Sequence, residues 1–366
     1  MEPIKFFLPG PAYVSMDARE AMLQPMVAHR SPFFKDLYAR MTPQISALLR
    51  TSGDVAIATG SSTLIMESAV ISCVRSDVLN LTQGSFSERW HAISKALGKN
   101  ADQVAVPWGR AMDPDIIRAA LRRKKYEAVT LVHNETSTGA MNPLEEIARV
   151  IREESDALIL VDAVSSLGGV PVETDAWGLD VVLAGTQKCI AAPPGLVVFS
   201  LSGRAAERAE RVPHRGFYTD LLRYRDKHRE GGPITTPGLP LVYALAVQLD
   251  RIEAEGIDAR WERHRKLYEK TAGWAAARGC AYASAADARS ITVSCLYPPA
   301  PPAGIDPQAL VKELGHRGYT VSGGYGDWKP TTFRIGHMGE VRETDRDALL
   351  AETDRLLETV AAAVVR

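Results

Sequence analysis

Cysteine is scarce in this chain and scattered. Cys73, Cys189, Cys280 and Cys295 form no CxxC pair and have no histidine set nearby. That spacing argues against a disulfide framework or a zinc site and points to buried, reduced thiols in a cytoplasmic protein. No apolar run reaches the roughly 18–20 residues that a bilayer-spanning helix needs. Pro9 and Pro11 interrupt the short apolar stretch at the start, which therefore lacks a signal-peptide layout. The final residues carry no common retention or peroxisomal tripeptide. Charge of neither sign dominates, with 43 Lys and Arg against 44 Asp and Glu. The one basic run, Arg122-Arg123-Lys124-Lys125, closes a helix-like stretch, where cations complement the negative helix end. Nucleic acid is thus not an expected partner, and neither is a membrane. A nucleotide P-loop is excluded because the GxxxxGK[ST] spacing occurs nowhere.

What is present is a patterned chain of 366 residues, 46% hydrophobic, long enough for a large domain and a smaller one. Between residues 54 and 200, short apolar runs alternate with longer amphipathic ones. Strands are expected at 55–59, 77–81, 104–106, 128–133, 158–162, 181–184 and 196–200. The helix before 158–162 is well signalled: Asn142 as cap, Pro143 in the first position, Glu145 and Glu146 at the positive end. Leu144, Ile147 and Ile151 give it a buried stripe. Such strand–helix–strand units lead to right-handed crossovers and an α/β sheet. Beyond 200 the pattern changes. A helical region over 239–278 breaks near Gly256, followed by a strand at 290–296 and a proline-rich connector at 298–307. A helix at 307–315, a strand at 332–335 and a final helix from about 344 complete the chain. The expected organisation is an amino-terminal arm (1–20), a large domain (21–255) with a mainly parallel sheet flanked by helices, and a smaller α+β domain (256–366).

The chemistry gathers at strand ends. Lys188 closes the run LDVVLAGTQK and Asp162 closes ALILVD, 26 residues earlier. Strands apolar on both faces belong to a covered parallel sheet, whose carboxyl edge forms the ligand crevice. An amine and a carboxylate delivered there suit pyridoxal 5'-phosphate: the lysine binds the aldehyde as a Schiff base and the aspartate holds a proton on the pyridine nitrogen. Taken alone, a lysine after a strand reads as a surface residue. Here Pro193-Pro194-Gly195 follows, a rigid turn able to keep the amine from bulk water.

Four further segments share the pattern. Thr59-Gly60-Ser61-Ser62-Thr63 follows a strand and opens a helix, reading either as a plain cap or as an anion cup for a monophosphate. Gly84-Ser85-Phe86-Ser87-Glu88-Arg89 does likewise, with Phe86 and Trp108 as alternatives for an aromatic stacked on a flat cofactor, and core packing as the plainer role for each. HNETSTG (133–139) brings hydroxyls to the same edge as Asp162. Arg334, inside FRIG, is either a solvated strand arginine or a bidentate clamp for a substrate carboxylate.

These motifs together resemble the class V aminotransferases, in particular the alanine/serine–glyoxylate group with fold type I of the pyridoxal phosphate enzymes. The resemblance covers almost the whole length, from LPGP and HRSP to FRIGHMG, and is most specific in HNETSTGAMNPLEEI, LVDAVSSLGGVPV and GTQKCIAAPPGLVV. It implies that Lys188 carries the cofactor, Asp162 pairs with the pyridine nitrogen and Phe86 stacks on the ring. It assigns Ser61, Ser62, Thr63 and Gln187 to the phosphate and Thr136 to the cofactor or substrate. Arg334 then takes the substrate carboxylate, and Gly10 gives it a backbone contact. Thr236 matches a phosphate contact donated across a homodimer with shared sites. Two departures stand out: Pro233 where relatives often have a phosphate-binding tyrosine, and Ser62-Thr63 where they often have glycine and histidine.

The implied activity is transfer of an amino group from a small amino acid, alanine or serine, to a small 2-oxo acid, glyoxylate or pyruvate. One rival is 2-aminoethylphosphonate–pyruvate aminotransferase, for which Arg215, Arg223 or Arg225 would supply extra cations. Another is a lyase of the cysteine desulfurase type, which needs a mobile cysteine that the loop 322–326 lacks.

Overall fold

Seven strands build the central sheet in this computed structural model, which describes residues 4–299 and 305–364. In chain order the strands are β1 (Asp54–Thr59), β2 (Asp77–Thr82), β3 (Asn100–Ala105) and β4 (Ala128–Val132), then a small hairpin, β5 (Asn134–Glu135) and β6 (Ala140–Met141), then β7 (Leu158–Asp162), β8 (Val181–Gly185) and β9 (Leu196–Leu201). The sheet order is β1-β9-β8-β7-β4-β2-β3, with the hairpin apart from it. Neighbours from β3 through β8 are parallel, and β9 is antiparallel to both β8 and β1. Every strand but β9 therefore ends on one edge.

Side-chain alternation explains how the sheet is covered. Ile159 and Val161 of β7 face the helices Pro32–Leu49, Leu144–Glu154 and Leu239–Glu255. Leu158 and Leu160 face the helices Ser62–Cys73 and Ser85–Ala96. Asp162 continues that second row. All residues of β4, β7, β8 and β9 are buried, as their unbroken apolar runs require. The edge strand β3 is the exception. It pairs with β2 alone and keeps polar residues at its start, so it extends well before the expected 104–106.

The expected Asn142 cap is not formed. The helix starts at Leu144 with Pro143 just ahead of it, and Asn142 turns inward. Its Nδ2 donates to Val132 O and its Oδ1 accepts from Met112 N, both at 2.8 Å. Satisfying two buried backbone groups outweighs one cap near solvent. The basic run at 122–125 is a solvated helix end, with Arg122 paired to Glu154 and Lys124 to Asp77 and Asp102.

A second, antiparallel sheet holds β10 (Ala281–Tyr282), β11 (Val293–Tyr297), β12 (Ser322–Gly323) and β13 (Phe333–Gly336), in the order β10-β11-β13-β12. The helices Ile257–Ala277, Pro307–His316 and Glu343–Val364 accompany it. The helical break falls at Gly256, whose φ of 82° suits glycine. The arm joins this second layer. Phe7 enters its core and exchanges backbone bonds of 2.7 Å with Thr320 and Gly336. Residues 300–304 of the proline-rich connector lie outside the described residues, as do the first three and last two residues of the chain. Among the described residues no helix is long and apolar enough to cross a membrane.

Candidate active site

Five strands deliver their following residues to one cavity of about 150 Å³ at the carboxyl edge of the central sheet. β1 leads to Ser61, Ser62 and Thr63, where the helix Ser62–Cys73 begins. β2 leads to Phe86, in the first turn of Ser85–Ala96. β4 leads to Asn134 and Thr136, β7 ends in Asp162, and β8 leads to Gln187 and Lys188. Eight of the eleven residues expected at the site line this cavity; the exceptions are Gly10, Arg334 and Thr236.

Gly10 and Arg334 lie just beyond the wall. Lys188 Nζ donates to Pro9 O at 2.8 Å, and Ala12 N donates to Gln187 O at 2.7 Å, so the arm crosses the lysine. Gly10 has φ +117°, and a Cβ there would collide with the Lys188 side chain. Only glycine meets both conditions. Arg334 reaches from β13 and donates to Gly323 O (3.0 Å), Thr136 O (3.1 Å) and Ser322 Oγ (2.9 Å). A guanidinium has five N–H groups, so one remains on each terminal nitrogen, the spacing that a carboxylate accepts. The strand arginine is thus buried rather than solvated. Thr236 is exposed and stands apart from its own chain's cavity.

The two candidate aromatics differ in position. Phe86 lines the cavity, whereas Trp108 packs edge-on against Trp328 and donates to Glu88. The first turn holding Phe86 is fixed by Glu135, a fully buried carboxylate that accepts from Phe86 N (3.3 Å) and Ser87 N (2.9 Å). An anion at that helix start is favourable. Arg215, Arg223 and Arg225 are engaged elsewhere. Arg215 pairs with Asp220, Arg225 with Asp226, and Arg223 lies over Phe217.

Burial sets the electrostatics. The Asp162 carboxyl, buried and receiving one hydrogen bond from Val164 N at 2.8 Å, is pushed up to about 7. Desolvation of the charged form is the main cause, and nearby Glu135 adds to it. Lys188 is brought down to about 8, first by desolvation and then by the Arg334 charge. Both groups therefore change protonation near neutral pH, the range useful for proton transfer.

The walls fit a flat, phosphorylated heteroaromatic. Among the described residues the buried atoms Ser62 Oγ and Asn134 Oδ1 have no partner, so both can bond a ligand. A Cβ on Gly185 would meet Ser62 Oγ and Gln187 Oε1 at 2.5 Å, filling the space between them. Six contributors were not foreseen. Arg89 lines the cavity with its guanidinium 5.1 Å from the Phe86 ring centre, and Met66, Val132, Asn134, Val164 and Ser165 complete the wall. Arg89 and Asn134 lie inside the flagged segments 84–89 and 133–139. Val164 and Ser165 lie two and three residues after Asp162.

Comparison with known proteins agrees with this geometry. The class-V aminotransferase family model matches residues 58–342. An uncharacterized aminotransferase of Methanocaldococcus jannaschii is 37% identical, with 94% of this chain and 90% of that protein covered. A Synechococcus protein named as a soluble hydrogenase small subunit is 35% identical, over 97% of this chain and 92% of its own. The crystal structure of an alanine–glyoxylate aminotransferase from Nostoc superposes with a TM-score of 0.91 at 29% identity, covering 98% of this chain and 96% of that one. The chain belongs to the class-V aminotransferase family, an α/β enzyme with a mostly parallel central sheet.

Proposed function

We propose that this enzyme uses pyridoxal 5'-phosphate to move an amino group from a small amino acid, alanine or serine, to a small 2-oxo acid, glyoxylate or pyruvate. One observation carries the reading: Lys188 and Asp162 share a buried cavity whose free polar atoms suit a phosphorylated ring. When bound, the cofactor supplies an aldehyde that links to amines and a ring that draws electrons from the bond being broken.

The chain's own residues do the rest. Lys188 would hold the cofactor, and its amine is placed to move the proton at the substrate Cα. Its lowered pKa keeps a useful neutral fraction near pH 8. Asp162 as an anion would keep a proton on the pyridine nitrogen. Ser61, Ser62, Thr63 and Gln187 would hold the phosphate, Phe86 would stack on the ring, and Thr136 would contact the cofactor or substrate. The two unused N–H groups of Arg334 take the substrate carboxylate, beside the Gly10 backbone. Thr236, exposed and away from its own cavity, is consistent with a phosphate contact given to the partner subunit in a homodimer. The site so read lies between a large domain (21–255) and a small one (256–366), with the arm (1–20) across it.

Glyoxylate as acceptor is supported by the similarity to the alanine–glyoxylate aminotransferase from Nostoc. The phosphonate alternative loses its support because none of Arg215, Arg223 and Arg225 lines the cavity. The test is a two-substrate assay. The reconstituted enzyme is expected to convert alanine or serine with glyoxylate far faster than 2-aminoethylphosphonate with pyruvate. Lys188→Ala should lower that rate by roughly a thousandfold or more. Near-normal turnover in that variant would sink the assignment.

A further inference from the structure

The segment between β12 and β13 reaches from the second sheet to Phe86, which lines the cavity. Tyr325 lies 5.5 Å from Phe86 between ring centres, and the Arg334 guanidinium lies 5.4 Å from the same tyrosine ring. Three residues on, Trp328 meets Trp108 edge-on at 5.8 Å. The segment is held in shape. Gly324 N donates to Thr332 O and Thr332 Oγ1 to Trp328 O, both at 2.8 Å. A Cβ on Gly326 would come within 2.9 Å of the Trp108 ring. Tyr325 is therefore fixed at the junction of the cavity aromatic and the carboxylate-binding arginine.

We propose that Tyr325 is a specificity-determining residue that limits the amino donor to small side chains. This rests on the reading above, in which Arg334 binds the substrate carboxylate and Lys188 works at its Cα. A carboxylate held by Arg334 lies within reach of the Tyr325 ring, so a long or branched side chain on the same Cα meets that ring. The ring does not yield easily, because its contacts to Phe86 and Arg334 are favourable interactions that displacement would break. Donors bearing a hydrogen, a methyl or a hydroxymethyl group fit beneath it.

The test uses unreactive acids, so it does not depend on turnover. Glycolate, lactate and 2-hydroxyisocaproate are titrated calorimetrically into the cofactor-loaded protein. Wild type should bind lactate at least about tenfold tighter than 2-hydroxyisocaproate, the scale on which pockets discriminate by added methylenes. Tyr325→Ala should abolish or invert that gap, and Tyr325→Phe should keep it, since the ring and not the hydroxyl is invoked. If Tyr325→Ala does not fold, Tyr325→Leu should give an intermediate gap. An unchanged gap in the shortened variant overturns the role of Tyr325 while leaving Arg334 as the carboxylate site. Failure of wild type to bind any of the acids overturns the Arg334 reading and this proposal together.

Discussion

Two buried carboxylates on neighbouring strands stand at opposite edges of the same sheet, and their surroundings differ. Asp180, just before β8, accepts from Ile159 N at 2.8 Å and Ser202 Oγ at 2.8 Å and pairs with Arg152 at 2.5 Å. Asp162, at the end of β7, has Val164 N as its one protein donor among the described residues. Both are at most 5% exposed. The first is a closed structural knot in which the charge is fully answered within the fold. The second is left with lone pairs to spare and is pushed up to about 7 by burial. The fold thus answers the charge of Asp180 at the amino edge and leaves that of Asp162 at the carboxyl edge open, where a ligand can complete it.

That contrast can be broken from either end. The larger effect is expected at Asp180. Replacing it with alanine strands Arg152 and a buried amide and should cost roughly 3–5 kcal/mol in denaturant unfolding, with turnover per folded molecule unchanged. A loss of turnover without a loss of stability would reverse the two roles. A smaller, pH-dependent effect is expected at Asp162 in the cofactor-free protein. The folded carboxyl keeps a proton that the unfolded chain loses at its usual value of 3.8. The wild-type protein should therefore lose stability, relative to Asp162→Asn, as pH rises from about 4 to about 7, by a few kcal/mol in all. Above about 7 the difference should be constant. With pyridoxal 5'-phosphate bound the order should invert, because the aspartate anion then has a partner. A pH-independent difference would remove the buried charge from the account.

Much of this was legible because it depends on local pattern. The apolar runs of β7 and β8 fix which strand ends carry Asp162 and Lys188, and a covered parallel sheet brings those ends together. The break at Gly256 and the strand holding Arg334 were equally readable. What escaped depends on contacts between distant segments. Asn142 looks like a cap until Met112 and Val132 offer it buried partners. Phe86 and Trp108 are equivalent in sequence, and only packing against Trp328 removes the latter from the site. Tyr325 carries no local signal of reaching Phe86, since that contact joins residues of two different sheets' connections. The arm's crossing of Lys188 through Pro9 O is of the same kind.

The most direct test of the central claim is a chemical one. The protein is incubated with pyridoxal 5'-phosphate, reduced with borohydride and digested, and the modified peptides are mapped by mass. The account predicts a stoichiometric label on Lys188, and its loss from that peptide in Lys188→Ala. A label spread over surface lysines, with Lys188 unmodified, would contradict it.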